Sequence, residues 1–301
     1  MMNTSALVID PNPAAGTLSP ADHMGSRAPE RGSTRPGVEY RQRFSNVLRF
    51  ENIKFRTLKS NWVTLAATCL AIIGFGLMAA AAASGSVSTP NGGPPVNTTE
   101  PVSTVLSGAQ MFAVLLVAVL GVLIGAREYS SGMVRTTMSA VPARIRSLTA
   151  RALVFTAWTV PTIFLSVLVA FVAGNAVLES GGVTSAALSD TGVWRVLIGT
   201  TGYLVGIGLI GIFLGILLRS IPAGLGTLLG GVLILPSLAS VLLPDSWDSA
   251  LKYLPSNAGS SFTALTEPSG MLSVGAGVAV FIGWVVLAGI GAALILRRRD
   301  V

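Results

Sequence analysis

The stretch VLIGTTGYLVGIGLIGIFLGILL, residues 196–218, runs for 23 residues without one Asp, Glu, Lys, Arg or His. A helix needs about 20 such residues to cross a hydrocarbon layer of roughly 30 Å, so this run is long enough to span. Five further runs have the same character: 62–83, 104–126, 152–178, 221–243 and 271–296. None of the six carries a formal charge. A water-soluble core has no use for six buried helices of this length, and the composition agrees. Of 301 residues, 51% are hydrophobic and only 11% charged, where soluble domains carry about a quarter charged. The sequence thus predicts an all-α integral membrane protein with six transmembrane helices.

The charged residues orient that bundle. Nine Lys and Arg precede the first run, five follow the second, Arg219 follows the fourth and three follow the sixth. Arg195 and Lys252 are the two left for the other side. By the positive-inside rule both termini are cytoplasmic. The net charge of +7 is therefore a matter of topology and argues against a nucleic-acid partner. The tightest connection is Arg219-Ser220 before Ile221-Pro222; proline is tolerated in a first helical turn, which permits two helices here, with one long broken segment as the alternative.

Outside the spans, residues 1–40 are rich in Pro, Gly, Ser, Asp and Arg. They cannot bury enough apolar surface to offset their ordering entropy and read as a disordered cytoplasmic tail, not as a signal sequence. Residues 41–61 read as a membrane-interface helix and 62–301 as the transmembrane domain. On a helical wheel Phe44, Val47, Leu48, Phe55, Leu58 and Trp62 share one side while Arg49 and Arg56 point elsewhere, and Glu51 interrupts the apolar arc. Lys54, Arg56 and Lys59 suit an anionic inner leaflet; a basic flank that only sets topology is the plainer alternative. Trp62, Trp194 and Trp247 fit interfacial anchoring, and Trp158 and Trp284 fit packing.

The loop after the second span, residues 127–144, is long enough for one or two short surface helices broken near Pro142. Glu128 at its start can pair with Arg127, with Arg135 or with a partner's basic side chain. The many span glycines, including Gly202/Gly206 and Gly211/Gly215 at G-x-x-x-G spacing, fit close helix packing. Catalysis has little support. His23 is the sole histidine, Cys69 the sole cysteine, and there is no G-x-x-x-x-G-K-[S/T] phosphate loop. No catalytic residue, metal site or cofactor is expected, and the chain is not read as an enzyme.

Three segments carry a family resemblance: Glu51-Asn52-Ile53-Lys54-Phe55-Arg56-Thr57-Leu58-Lys59-Ser60-Asn61-Trp62, the region from Glu128-Tyr129-Ser130-Ser131-Gly132 to Pro142-Ala143-Arg144, and Lys252-Tyr253-Leu254-Pro255-Ser256-Asn257-Ala258-Gly259. With six spans, residues 44–301 resemble the membrane-spanning permease subunit of an ABC-2 type transporter, especially actinobacterial ones. That resemblance implies a separate ATP-binding subunit and a second permease subunit, as homo- or heterodimer, in a bacterial plasma membrane. It assigns Glu51, Lys54, Arg56 and Lys59 to an elbow helix, and Glu128, Gly132, Arg135, Pro142 and Arg144 to the loop that couples to the ATPase. It implies efflux of a hydrophobic or amphipathic substrate. A non-transporting membrane scaffold or regulator, and an ion-coupled secondary transporter, are the alternatives.

Overall fold

The computed structural model describes residues 43–85, 101–130, 144–266 and 270–298, and every regular element among them is helical. Hydrocarbon offers no hydrogen-bonding partner, so a long apolar segment satisfies its own amides by coiling. The first helix, α1 (Phe44–Thr57), is short and amphipathic. Val47, Glu51 and Phe55, each four residues from the next, form its buried face. Leu58 is extended (φ −83°, ψ 103°) and separates α1 from α2 (Lys59–Ala83). The expected interface helix and first span therefore meet at a one-residue corner.

The centre of the bundle is the pair α3 (Pro101–Ser130) and α5 (Val193–Leu218). A Cβ at Gly121 or Gly125 would overlap the carbonyl oxygen of Gly208 or Ile212, so here the two backbones touch directly. From the other side a Cβ at Gly215 would lie 2.8 Å from the Val122 oxygen. Of the two glycine pairs singled out by spacing, Gly211 and Gly215 meet α3. Gly202 has nothing within 4 Å, and Gly206 faces the ring of Phe281. Among lipid-buried helices, where apolar burial gives no driving force, such close approach supplies the packing energy. The α2 helix lies against α3, with Gly76 beside Ala109 and Ala170.

At 37 residues, α4 (Arg144–Ser180) is longer than the span its sequence predicts. At 1.5 Å per residue it measures about 55 Å, so it outruns the hydrocarbon and carries two basic turns beyond it. It passes through Pro161 without interruption, and Thr156, Thr159, Thr162 and Ser166 each donate a hydroxyl hydrogen bond to the carbonyl four residues back. These hydroxyls are thereby satisfied within the helix.

The Arg219-Ser220 connection is a turn. Arg219 adopts a left-handed conformation (φ 54°), and the Ser220 hydroxyl accepts from the Ala223 amide. The run expected as one helix over 221–243 is instead α6 (Ile221–Leu229), a π-helical turn at Gly230–Ile234, and α7 (Leu235–Leu242), bent by 41°. Pro236 explains the break: it has no amide to donate and its ring crowds the preceding turn, so the ladder shifts to a wider spacing, with Leu235 N–H bonding Gly230 O. A short 3-10 turn (Asp245–Trp247), α8 (Asp248–Leu251) and α9 (Pro255–Thr263) then lead to α10 (Val274–Arg298). The Trp284 indole donates to Tyr253 O at 2.8 Å, tying α10 to the segment before α9. Five helices, α2 to α5 and α10, are long and apolar enough to cross a membrane, and six if the bent pair counts as one crossing.

The α3–α5 contact can be checked by adding one methyl group. Gly125→Ala places a Cβ against backbone and is expected to cost about 1–3 kcal/mol, read as a lower thermal midpoint of the purified protein in detergent. Gly226→Ala, with nothing within 4 Å, is expected to leave that midpoint unchanged or slightly raised.

Candidate coupling site at the basic end of the bundle

The corner between α1 and α2 organises one end of the molecule. Glu51 is 4% exposed and Arg151 5% exposed. Arg151 Nη2 donates to Glu51 Oε1 at 3.3 Å, and the Ser147 hydroxyl donates to the same oxygen at 3.1 Å. The next residue repeats the attachment, since Asn52 Oδ1 accepts from Trp158 Nε1 at 2.9 Å. Val47 packs on Ala150. Ser147, Arg151 and Trp158 lie at i, i+4 and i+11, one face of α4, and they meet the face of α1 that presents Glu51 and Asn52. The glutamate that breaks the apolar arc in the sequence is therefore the group that fixes α1 to α4.

Rings and main chain close the corner. Phe55 stacks on Trp158 at 6.2 Å between centroids, and Trp62 meets the same indole edge-on at 5.2 Å. Asn61 Nδ2 donates to Phe55 O, and Trp62 Nε1 donates to Arg56 O. These two bonds cap the carbonyls at the end of α1 with side chains from the start of α2. On the other flank Arg127, near the end of α3, donates to the Ser60 hydroxyl at 2.7 Å. Lys54, Arg127 and Arg151 surround Glu51 at a cavity of about 30 Å³, room for roughly one water. Three cations to one carboxylate leave this end positive.

The residues expected from sequence distribute unevenly. Glu51 is buried in the pair and Lys54 lines the cavity, whereas the side chains of Arg56 and Lys59 are exposed. Glu128 falls in the last turn of α3 and Arg144 is the first residue of α4. Gly132, Arg135 and Pro142 lie outside the described residues. The ends of the 131–143 connection are both attached to one corner, α3 through Arg127 and Ser60, α4 through Ser147, Arg151 and Glu51. Sequence reading counted Arg151 only as a topological charge, passed over Ser147, and quoted Asn52 within the elbow-helix segment without giving it a partner. Their signal was a shared helical face, visible only once α4 is known to begin at Arg144. Nearby, the Arg219 guanidinium sits 5.1 Å from the centre of the Tyr129 ring, a cation–π contact linking the ends of α3 and α5. Among the described residues no cluster of three or more His, Cys, Asp or Glu could hold a metal ion.

No family model matches the sequence, and no curated protein matches it. The fold itself defines the class: an all-α, multi-pass membrane protein whose architecture is consistent with a permease.

The Glu51–Arg151 pair lies in the regime where losing one partner is costly and replacing both is not. Arg151→Met leaves a buried carboxylate and is expected to cost about 3–5 kcal/mol. The double variant Glu51→Gln, Arg151→Met is expected to recover most of that loss, as a double-mutant cycle of thermal midpoints will read.

Proposed function

We propose that this chain is the permease subunit of an ATP-driven transporter of the ABC-2 type. In this reading the basic end faces the cytoplasm of a bacterial cell, with both chain termini on that side. A separate ATP-binding subunit grips the connection that includes Glu128, Gly132, Arg135, Pro142 and Arg144. A second permease subunit completes the route. The cargo is hydrophobic or amphipathic and moves outward, and the chain itself performs no covalent chemistry.

One observation carries the reading. The connection that would receive the motor is attached at both ends to the same α1–α2 corner, through Arg127 to Ser60 and through Arg151 and Ser147 to Glu51. A force applied to that connection moves α1, α2, α3 and α4 together. Coupling requires such a rigid path, because a ligand-driven motor shifts a membrane domain only through contacts that differ between its two states. Here Glu51 acts through α4 as a positioning residue.

The test is reconstitution in vesicles with a candidate ATP-binding subunit, identified by its phosphate loop and its copurification with this chain, following ATP-dependent movement of a fluorescent amphipathic dye. The double variant Glu51→Gln, Arg151→Met, which removes the pair without leaving a buried charge, is expected to leave assembly and basal ATP hydrolysis in place while lowering transport per ATP about tenfold, the factor that about 1.4 kcal/mol of lost coupling gives. Orientation is checked with Ser139→Cys in a Cys69→Ser background. Membrane-impermeant maleimide applied to intact cells should leave it unmodified; rapid labelling from outside refutes the arrangement.

A further inference from the structure

At the end of the bundle remote from Glu51, α9 is held against α5 and α10 by glycine contacts. A Cβ at Gly199 would overlap Phe262 O, one at Gly259 would overlap the Tyr203 ring, and one at Gly277 would lie 2.8 Å from Ala258 O. Tyr203 is further held by the rings of Phe281 and Phe262, at 5.2 and 6.5 Å between centroids. This packing opens a cavity of about 340 Å³ between α3, α5 and α9. Its polar lining is Ser103, Ser107, Gln110, Tyr203, Ser260 and Thr263. On α3 the three contributors sit at i, i+4 and i+7, a single face, with Met111 and Val114 continuing the wall as apolar surface.

What separates this cavity from ordinary helix packing is hydrogen-bonding capacity not used within the protein. Many span hydroxyls bond within their own helix, as in α4, although Thr200 of α5 is buried without a partner among the described residues; the one amide of α4, Asn175, donates to Ala186 O at 2.8 Å. Gln110 is the only glutamine in any span, and neither its amide nor the hydroxyls of Tyr203 and Thr263 forms a hydrogen bond among the described residues. Ser107 and Ser260 donate to Thr104 O and Asn257 O, which leaves their oxygens able to accept. The polar atoms of Gln110, Tyr203 and Thr263 are open to the cavity and not sealed in the packing, so a molecule that enters it can supply the bonds the protein does not make. No lining residue is charged. A cationic or anionic ligand group would lose its hydration here with no counter-charge, which leaves an uncharged one. By contrast, a second cavity of about 330 Å³, between α5, the α6 to α7 segment and α10, is lined almost wholly by aliphatic side chains and offers no comparable directionality.

We infer that the cavity between α3, α5 and α9 is a binding site for the uncharged, hydroxyl- or amide-bearing head group of an amphipathic molecule, with Gln110, Tyr203 and Thr263 as its hydrogen-bonding residues and Met111 and Val114 against the apolar part. Its volume lies at the lower end of small-molecule sites, which run from about 300 to 1,000 Å³, so it takes a head group and leaves the chain to lie along the bundle. As a cargo site it rests on the permease reading; as a binding site it stands without it.

The probe is tritiated octyl β-D-glucoside below its micellar concentration, with the full chain in phosphatidylcholine nanodiscs and binding read by scintillation proximity. Saturable binding is expected. Tyr203→Phe and Thr263→Val, which each remove one hydroxyl or its equivalent, should weaken it about three- to tenfold, the range one neutral hydrogen bond is worth. Gln110→Leu should weaken it by a comparable factor or more, and Thr227→Val in the apolar cavity should leave it unchanged. Unlabelled octyltrimethylammonium and octanoate should not compete. Because the hydroxyl deletions keep side-chain shape, they remain informative if Gln110→Leu fails to fold. Nanodiscs containing glucosyl diacylglycerol distinguish the source of the head group: displacement of the probe assigns the site to a bilayer lipid, and its absence to an amphipath arriving from water. No saturable binding by the wild type, unchanged affinity in all three cavity variants, or equal competition by the charged octyl compounds overturns the inference. Binding with no ATP-dependent transport rejects the permease reading and leaves the site, whereas transport with no effect of these variants on binding rejects the site alone.

Discussion

The arrangement depends on two backbones in direct contact. Where α3 and α5 touch at Gly121, Gly125, Gly208 and Gly215, there is no side chain to adjust and no apolar driving force to gain from lipid. The separation of the two helices is fixed by main-chain atoms. The neighbours take their places from that pair: α2 lies on α3, α9 lies on α5 through Gly199 and Gly259, and α10 reaches α5 through Phe281. A bundle built this way is stiff at its centre and adaptable at its margins. At its margin α10 keeps an open apolar surface, with Ile282, Leu287 and Ile290 all more than half exposed.

Polar groups in this protein fall into three classes by how they are satisfied. Most helix hydroxyls bond to a carbonyl of the preceding turn and act as small apolar residues thereafter. At the basic end, charged and polar side chains bond across elements, and the Glu51–Arg151 pair is buried beside a cavity the size of one water. At the opposite end Arg195 donates to Ala264 O and Leu265 O, fastening the residues after α9 to α5, while Gln110, Tyr203 and Thr263 face a cavity. The two ends thus differ in kind. One uses its polar chemistry to hold helices together, and the other both fastens a connection through Arg195 and leaves polar groups open to a cavity.

Long helices were legible from sequence because hydrocarbon thickness imposes a length and charge exclusion marks the limits. The ends were less legible. The runs at 104–126 and 152–178 stop where charge begins, yet α3 continues to Ser130 and α4 starts at Arg144; a helix has no reason to end at the interface if its next turns are good helix formers. Pro236 lay inside the fifth run without being read as a break, and the π-helical turn that is the ladder's local answer to it has no signature in composition. The corner at Leu58 was similarly hidden, since Asn61 and Trp62 cap α1 from the following helix. Glu51 stood out in the sequence as an anomaly, and its meaning required Arg151, one hundred residues away. Spacing alone could not say which glycines meet, because a glycine motif on one helix is silent about the surface opposite.

The length of α4 has a mechanical consequence. A single helix of about 55 Å joins the basic corner to the far side of the bundle with no loop along its course. A tilt of a few degrees about its midpoint, taken up by the hydroxyl-lined turns around Pro161, displaces both ends by about 1–2 Å in opposite directions. An unbroken helix of this length, pushed at its Arg144 end, would swing its Ser180 end the other way, as a see-saw does, without any change in fold.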